Sequence, residues 1–175
     1  VLGYLLPPAA HILEQPECPA TIKKYKVTRK TKKGLLIPSQ DGDVSGNGEN
    51  HKVTLVNQGE RVIVATRLVF LSFDIWDQYL STWHHDYIRI IPMKEKRDTK
   101  YGRWFVSVFP LHTGIVYIDR VRFRDGMIWR STEDKILRQT SELGFPIRTD
   151  QIQPPIIRYD EMVPRIEVGE GDSKD

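Results

Sequence analysis

His84, His85 and Asp86 are the side chains best equipped for catalysis or metal binding. Histidines that share a metal need a spacing that makes them converge, as in H-E-x-x-H on one helical face, whereas adjacent histidines point apart. His51 and His112 can join them only through the fold. Asp41, Asp43, Asn47 and Glu49 suggest calcium, and Gly46 falls where an EF-hand loop needs its glycine. Position 12 of that loop is however Lys52, and the flanks lack helical pattern. The G-x-S-x-G elbow, the phosphate-binding glycine loop and the Cys–His signature are absent. The sequence therefore predicts no enzyme, no metal site and no cofactor or small-molecule substrate.

Electrostatics gives a stronger signal. Lys23, Lys24, Lys26, Arg29, Lys30, Lys32 and Lys33 are seven bases in eleven residues without one acid. Such a segment clamps phosphates, in a nucleic acid or on an acidic lipid surface. A single interleaved aromatic, Tyr25, is too little for a single-strand stacking platform. Further along, Arg120, Arg122 and Arg124 recur at period two and form a ridge. The ridge suits phosphate, and equally suits pairing with neighbouring acids.

The elements that must position these groups follow from periodicity. Trp76, Tyr79, Leu80 and Trp83 fall at i, i+3, i+4 and i+7, which predicts a short aromatic helix with Ser72 as its cap and His84 and His85 at its end. Lys52–Val56 and Arg61–Leu71 read as a hairpin around Asn57–Glu60, the second strand apolar on both faces and so covered on both sides. Tyr87–Pro92 reads as a short strand, 93–102 as a charged connection and Arg103–Phe109 as another strand. Gly114–Arg124 places Ile115, Tyr117, Val121 and Phe123 on one face, and Asp125-Gly126 turns the chain into Met127–Arg130. A second helix begins after Ser131 or Thr132 and stops before Gly144, burying Ile136, Leu137, Thr140 and Leu143.

The expected fold is α+β: a single domain, mainly antiparallel sheet packed with two helices, with extended N- and C-terminal arms. Residues 1–51 form an extended, basic arm and a mobile loop, 52–149 the core domain, and 150–175 a proline-containing acidic tail. Leu2, Tyr4, Leu5 and Leu6 in the arm can dock on a partner or on a second copy. At 175 residues and 39% hydrophobic, the chain is long enough for a real core. Net charge is +3, but from Arg158 onward six acids face three bases, so that segment carries −3 and the rest +6. The single Cys18 excludes an internal disulfide framework. The best apolar run, Val62 to Leu71, is too short to span a bilayer and is broken by Arg67.

Ser81, Trp83, His85, Tyr87 and Ile88 spell S-x-W-x-H-x-Y-I, which resembles a stretch of rhabdovirus matrix proteins where a helix runs into a core strand. The order of elements is also similar, and the chain length resembles that of the plant-virus members. The resemblance implies a non-enzymatic structural protein of virion and host cytoplasm, peripheral at membranes. Such a protein self-associates and uses its basic arm, here Lys23 to Lys33, on acidic membrane and nucleocapsid. The PPxY budding motif of that family is not matched, since Tyr4 precedes Pro7-Pro8. The alternative is a nucleic-acid-binding accessory protein that uses the basic arm together with the arginine ridge.

Overall fold

Strand β4 (Ile63–Phe73) carries apolar side chains on both faces, and in the computed structural model both faces are covered. The structure describes residues 7–39, 42–105 and 111–152, with side chains excepted at 30–48 and 103–105. Antiparallel partners flank β4 on either side: β5 (Tyr79–Tyr87) and β7 (Thr113–Phe123). The far edge of β7 is shared by β1 (Ala9–Ile12), which runs parallel to it, and β8 (Ile128–Arg130), which returns through a tight turn. Between those two short strands the Gln15 side chain stands in for a strand backbone. Its amide donates to Ile118 O at 2.7 Å, and its oxygen accepts from Ile118 N at 2.8 Å.

One face of this larger sheet presents Leu68, Phe70, Val116, Ile118 and Val121 to a second, three-stranded antiparallel sheet. That sheet has the order β2 (Ala20–Ser39), β3 (Gly42–Asn57), β6 (Lys96–Phe105), and contributes Ile22, Val53, Leu55 and Tyr101 to the shared core. The opposite face presents Val69, Leu71, Phe73, Ile115 and Tyr117 to Ile136 of α1 (Glu133–Glu142), Phe145 and Ile152 of α2 (Thr149–Ile152). The protein is thus an α+β domain of three layers, mainly antiparallel sheet with two short helices.

The aromatic helix is the main correction. Asp74–Gln78 is a turn and Tyr79–Tyr87 is strand. The Asp74 carboxylate accepts the backbone N–H groups of Trp76 at 2.8 Å and Gln78 at 2.9 Å, and Asp77 takes a positive φ of 59°. A helix would leave one edge of the buried β4 without hydrogen-bond partners, and that cost outweighs a helical stripe. Trp83 consequently faces the inter-sheet core, while Trp76 is 75% exposed at the turn.

The expected hairpin at 52–71 is instead a crossing between sheets. Buried Asn57 holds it, donating from Nδ2 to Arg61 O at 2.7 Å and to Ile91 O at 2.9 Å. Past Tyr87 only Ile91 makes a bridge, to Ile63, and the charged 96–102 stretch is strand, its outward charges alternating with inward Thr99 and Tyr101. The basic segment and the polar stretch after it are not an arm and a loop but the paired strands β2 and β3. At the other end α2 docks on β5 within what reads as tail.

Strand β7 lies where expected, but a bulge divides its faces. Arg67 pairs with Arg120 and Leu68 with Ile118, leaving Asp119 as the extra residue. Ile115 and Tyr117 therefore face the helices, whereas Val121 and Phe123 face the second sheet. Helix α1 buries Ile136 and Thr140 as expected, but Leu143 is 41% exposed at its end.

Gly114 of β7 lies against Tyr25 of β2. A Cβ there would stand 2.5 Å from the Tyr25 hydroxyl oxygen and 3.4 Å from Val27 Cγ1. Gly114→Ala is expected to lose about 1–3 kcal/mol in denaturant unfolding. An unchanged midpoint would show that the two sheets are not in close apposition at this point.

Candidate polyanion-binding face

Alternation along β2, β3 and β6 sends one set of side chains into the core and the other to solvent. On β2, Tyr25 and Val27 point inward while Lys24 and Lys26 point outward; on β3, His51, Val53 and Leu55 are buried and Lys52 is exposed. Register then aligns the outward residues. Lys26 pairs with Lys52, and Lys52 pairs with Lys100, so three lysines form one row across the sheet. The next row is Lys24, Thr54, Asp98, and beyond it Val56 pairs with Lys96. Lys23 occupies a bulge that keeps Ile22 inside and Lys24 outside.

These six lysines line a groove of about 710 Å³, with Asp98 the only carboxylate in its lining. Asp98 accepts the Thr54 hydroxyl at 2.6 Å. Neighbouring strands lie about 4.8 Å apart, so adjacent lysines in a row stand within the physiological Debye length of about 8 Å. Like charges directly opposite one another on a sheet are unfavourable. An anion on this face relieves that repulsion.

Beneath the lysine row lies a buried polar chain. The Tyr25 hydroxyl is 2.9 Å from His51 Nδ1, and His51 Nε2 is 2.9 Å from Glu49 Oε2, with His51 and Glu49 both closed to solvent. In the tautomer that carries its proton on Nε2, the imidazole accepts from Tyr25 and donates to Glu49. Burial pushes the Tyr25 phenol well above its usual range, with the Glu49 charge adding to it. Phe70 stacks on Trp83 at 4.2 Å, and both rings meet His51 edge-on at 4.9 Å. The polar chain ties β2 to β3 under Lys26 and Lys52.

His84 and His85 point to opposite faces of β5 and do not converge. His85 packs on the Tyr101 ring at 3.9 Å, while His84 lies on the helix side near Arg67 and Asp86. Both imidazoles are held below their usual range, chiefly by burial. Among the described residues no group of three or more His, Cys, Asp or Glu side chains is placed to hold a metal.

The arginine ridge lies on the other outer surface, on the helix side of the larger sheet. Arg130 pairs with Arg120, Arg120 with Arg67, and Arg67 with Asp86, giving one row across four strands. Arg67 grips Asp86 through two bonds of 2.6 and 2.7 Å, and Arg120 binds Asp119 at 2.6 Å. Exposed Arg122, Arg124 and Arg130 have no carboxylate partner among the described residues.

Of the segment Lys23 to Lys33, Lys23, Lys24 and Lys26 reach the groove. Arg29 is half-buried opposite Glu49, and its guanidinium is lowered by burial. The side chains of Lys30, Lys32 and Lys33, and all of Leu2, Tyr4, Leu5 and Leu6, lie outside the described residues. Lys52, Lys96 and Lys100, with Arg67 and Arg130, escape a linear reading because register alone brings them in. Their signal is the alternation in His51–Leu55 and in Lys96–Tyr101.

No family model matches the chain, and no curated protein matches it. Among solved structures, the structural-genomics target SoR45 is 16% identical over 61% of this chain and 80% of its own, with a TM-score of 0.39. A hypothetical protein of Peptoclostridium difficile 630 is 11% identical over 73% of this chain and 92% of its own, with a TM-score of 0.43.

Two outcomes follow from this geometry. Tyr25→Phe leaves the buried His51 Nδ1 without its donor, and is expected to lower stability by about 1–3 kcal/mol with anion binding on the lysine face unchanged. Weakened binding at full stability would place Tyr25 in the ligand site instead. The Arg67 guanidinium holds Asp86 below the usual carboxylate range. The pair therefore stabilises the fold above the ordinary carboxyl pKa of about 3.9 and loses that contribution as pH falls through the lower folded value. At 27% and 40% side-chain exposure the pair is screened and its effect small. Asp86→Asn is expected to melt slightly below the parent at pH 7, the gap closing below about pH 4; a gap independent of pH would trace it to something other than the ion pair.

Proposed function

We propose that the protein is a non-enzymatic nucleic-acid-binding module whose lysine face docks on the phosphate backbone of a duplex. The Lys26–Lys52–Lys100 row carries the proposal. Ammonium groups are compact, rotatable donors that meet phosphate oxygens without demanding one orientation. No large aromatic side chain is exposed on this face among the described residues, so those residues offer contacts to the backbone rather than stacking on unpaired bases. Binding of this kind is independent of sequence and driven by counterion release.

One observation favours a second reading, docking on an acidic membrane. Ile90 and Met93, each 50% exposed, lie on the connection that leads into Lys96 of the groove. The self-association and virion-assembly role implied by the matrix resemblance would draw on the same face. Its S-x-W-x-H-x-Y-I window runs along and just past β5, and among the described residues no helix precedes it.

The test is the triple variant Lys26→Ala, Lys52→Ala, Lys100→Ala, titrated with a 20-base-pair duplex over a salt series. Loss of three phosphate contacts lowers the slope of log affinity against log salt by about 2.7, while stability stays within roughly 0.5 kcal/mol of the parent. Unchanged affinity and slope would overturn the assignment of the face. Flotation with acidic vesicles in the absence of duplex binding would transfer it to the membrane reading.

A further inference from the structure

We infer that the protein bridges two duplexes, one on the lysine face and one on the arginine face, and so gathers nucleic acid rather than merely coating it. The inference rests on the reading of the lysine face given above and adds a second, separately placed anion site. Lys24, Lys26, Lys52 and Lys100 project from the outer surface of the smaller sheet. Arg120, Arg122 and Arg130 project from the far surface of the larger sheet, because Val121 and Trp129 beside them pack into the inter-sheet core. The two basic surfaces therefore look in opposite directions across a sandwich whose sheets lie about 10 Å apart.

Duplex DNA has a persistence length of about 150 base pairs. A short duplex seated on one face is straight and cannot turn around the sandwich to reach the other. Each face thus engages its own duplex.

The arginine face is built for phosphate in a different way. Two of its guanidiniums are committed, Arg67 to Asp86 and Arg120 to Asp119. Arg122, Arg124 and Arg130 are left exposed, with no carboxylate partner among the described residues. Arg120 and Arg130 stand directly opposite on adjacent strands, an unfavourable placement of like charges that an incoming phosphate relieves. Planar forks on fixed strands donate to two phosphate oxygens at a time.

The experiment uses two 20-base-pair duplexes, one held on beads and one fluorescent and free, with the full chain confirmed monomeric by sedimentation at the working concentration. The parent is expected to carry the fluorescent duplex onto the beads. The variant Arg122→Ala, Arg124→Ala, Arg130→Ala is expected to bind the bead-held duplex with affinity within about twofold of the parent yet lose about tenfold or more of the bridging signal. The corresponding Arg→Lys variant, which keeps the charges, restores most of it. Bridging by the alanine variant at the parent's level would overturn the inference. So would a parent that binds the bead-held duplex and recruits no second one, in which case the lysine-face reading stands. Failure of the parent to bind the first duplex overturns both. Recruitment of acidic vesicles in place of the second duplex would make the arginine face a lipid site and sink the bridging of duplexes.

Discussion

Everything in this fold depends on the burial of β4 from both sides. Over Leu68–Phe73 the strand is covered by a second sheet on one face and by helices on the other, so each backbone N–H and C=O group there needs a partner in the chain. That requirement recruits β5 and β7 to its two edges. It also converts Tyr79–Tyr87 from a sequence with helical spacing into a strand. Once β7 is fixed, β1, β8 and the Gln15 amide divide its remaining edge between them. The lysine face and the arginine face are by-products of this layering, since each is the solvent side of a sheet whose other side or other end is buried.

The fold class and several elements were legible in the sequence, and for local reasons. Strand β4 announces itself through apolar residues on both faces, β7 and β8 through period-two alternation interrupted by Asp125-Gly126, and α1 through its first-turn acids and Gly144. The aromatic stripe misled because Trp76, Tyr79 and Trp83 satisfy helical spacing by coincidence, while the decisive force, the unpaired edge of β4, is a tertiary demand. Asn57 misled in the same way. Its flanks look like hairpin strands, yet its side chain bonds to Arg61 and Ile91 and routes the chain to another layer.

Charge was easier to find than to place. The basic run from Lys23 is visible at once, but its alternation sends only part of it outward, with Tyr25 and Val27 taken into the core. The half of the site supplied by Lys52, Lys96 and Lys100 belongs to strands far along the chain. A reading that weighs local density cannot see a row made of one residue per strand. The buried Glu49–His51–Tyr25 chain was similarly hidden: Glu49 read as part of a polar loop, and pairing rather than composition brings it against His51.

The bulge at Asp119 has an evolutionary consequence. Side chains before it and after it already alternate correctly with one another once that residue is set aside: Ile118 and Val121 face the same core, Tyr117 and Arg120 the opposite side. Asp119 is thus an inserted residue in an otherwise regular strand. A lineage that lost it would keep its neighbours in β7 on their present faces and forfeit the carboxylate beside Arg120 and the carbonyl that accepts the Ser131 N–H. The gain or loss of one residue anywhere else in β7 would turn the following half of the strand inside out, driving arginines into the core and Val121 and Phe123 into water. Chain length in this strand is free to drift at one position and is locked at all the others.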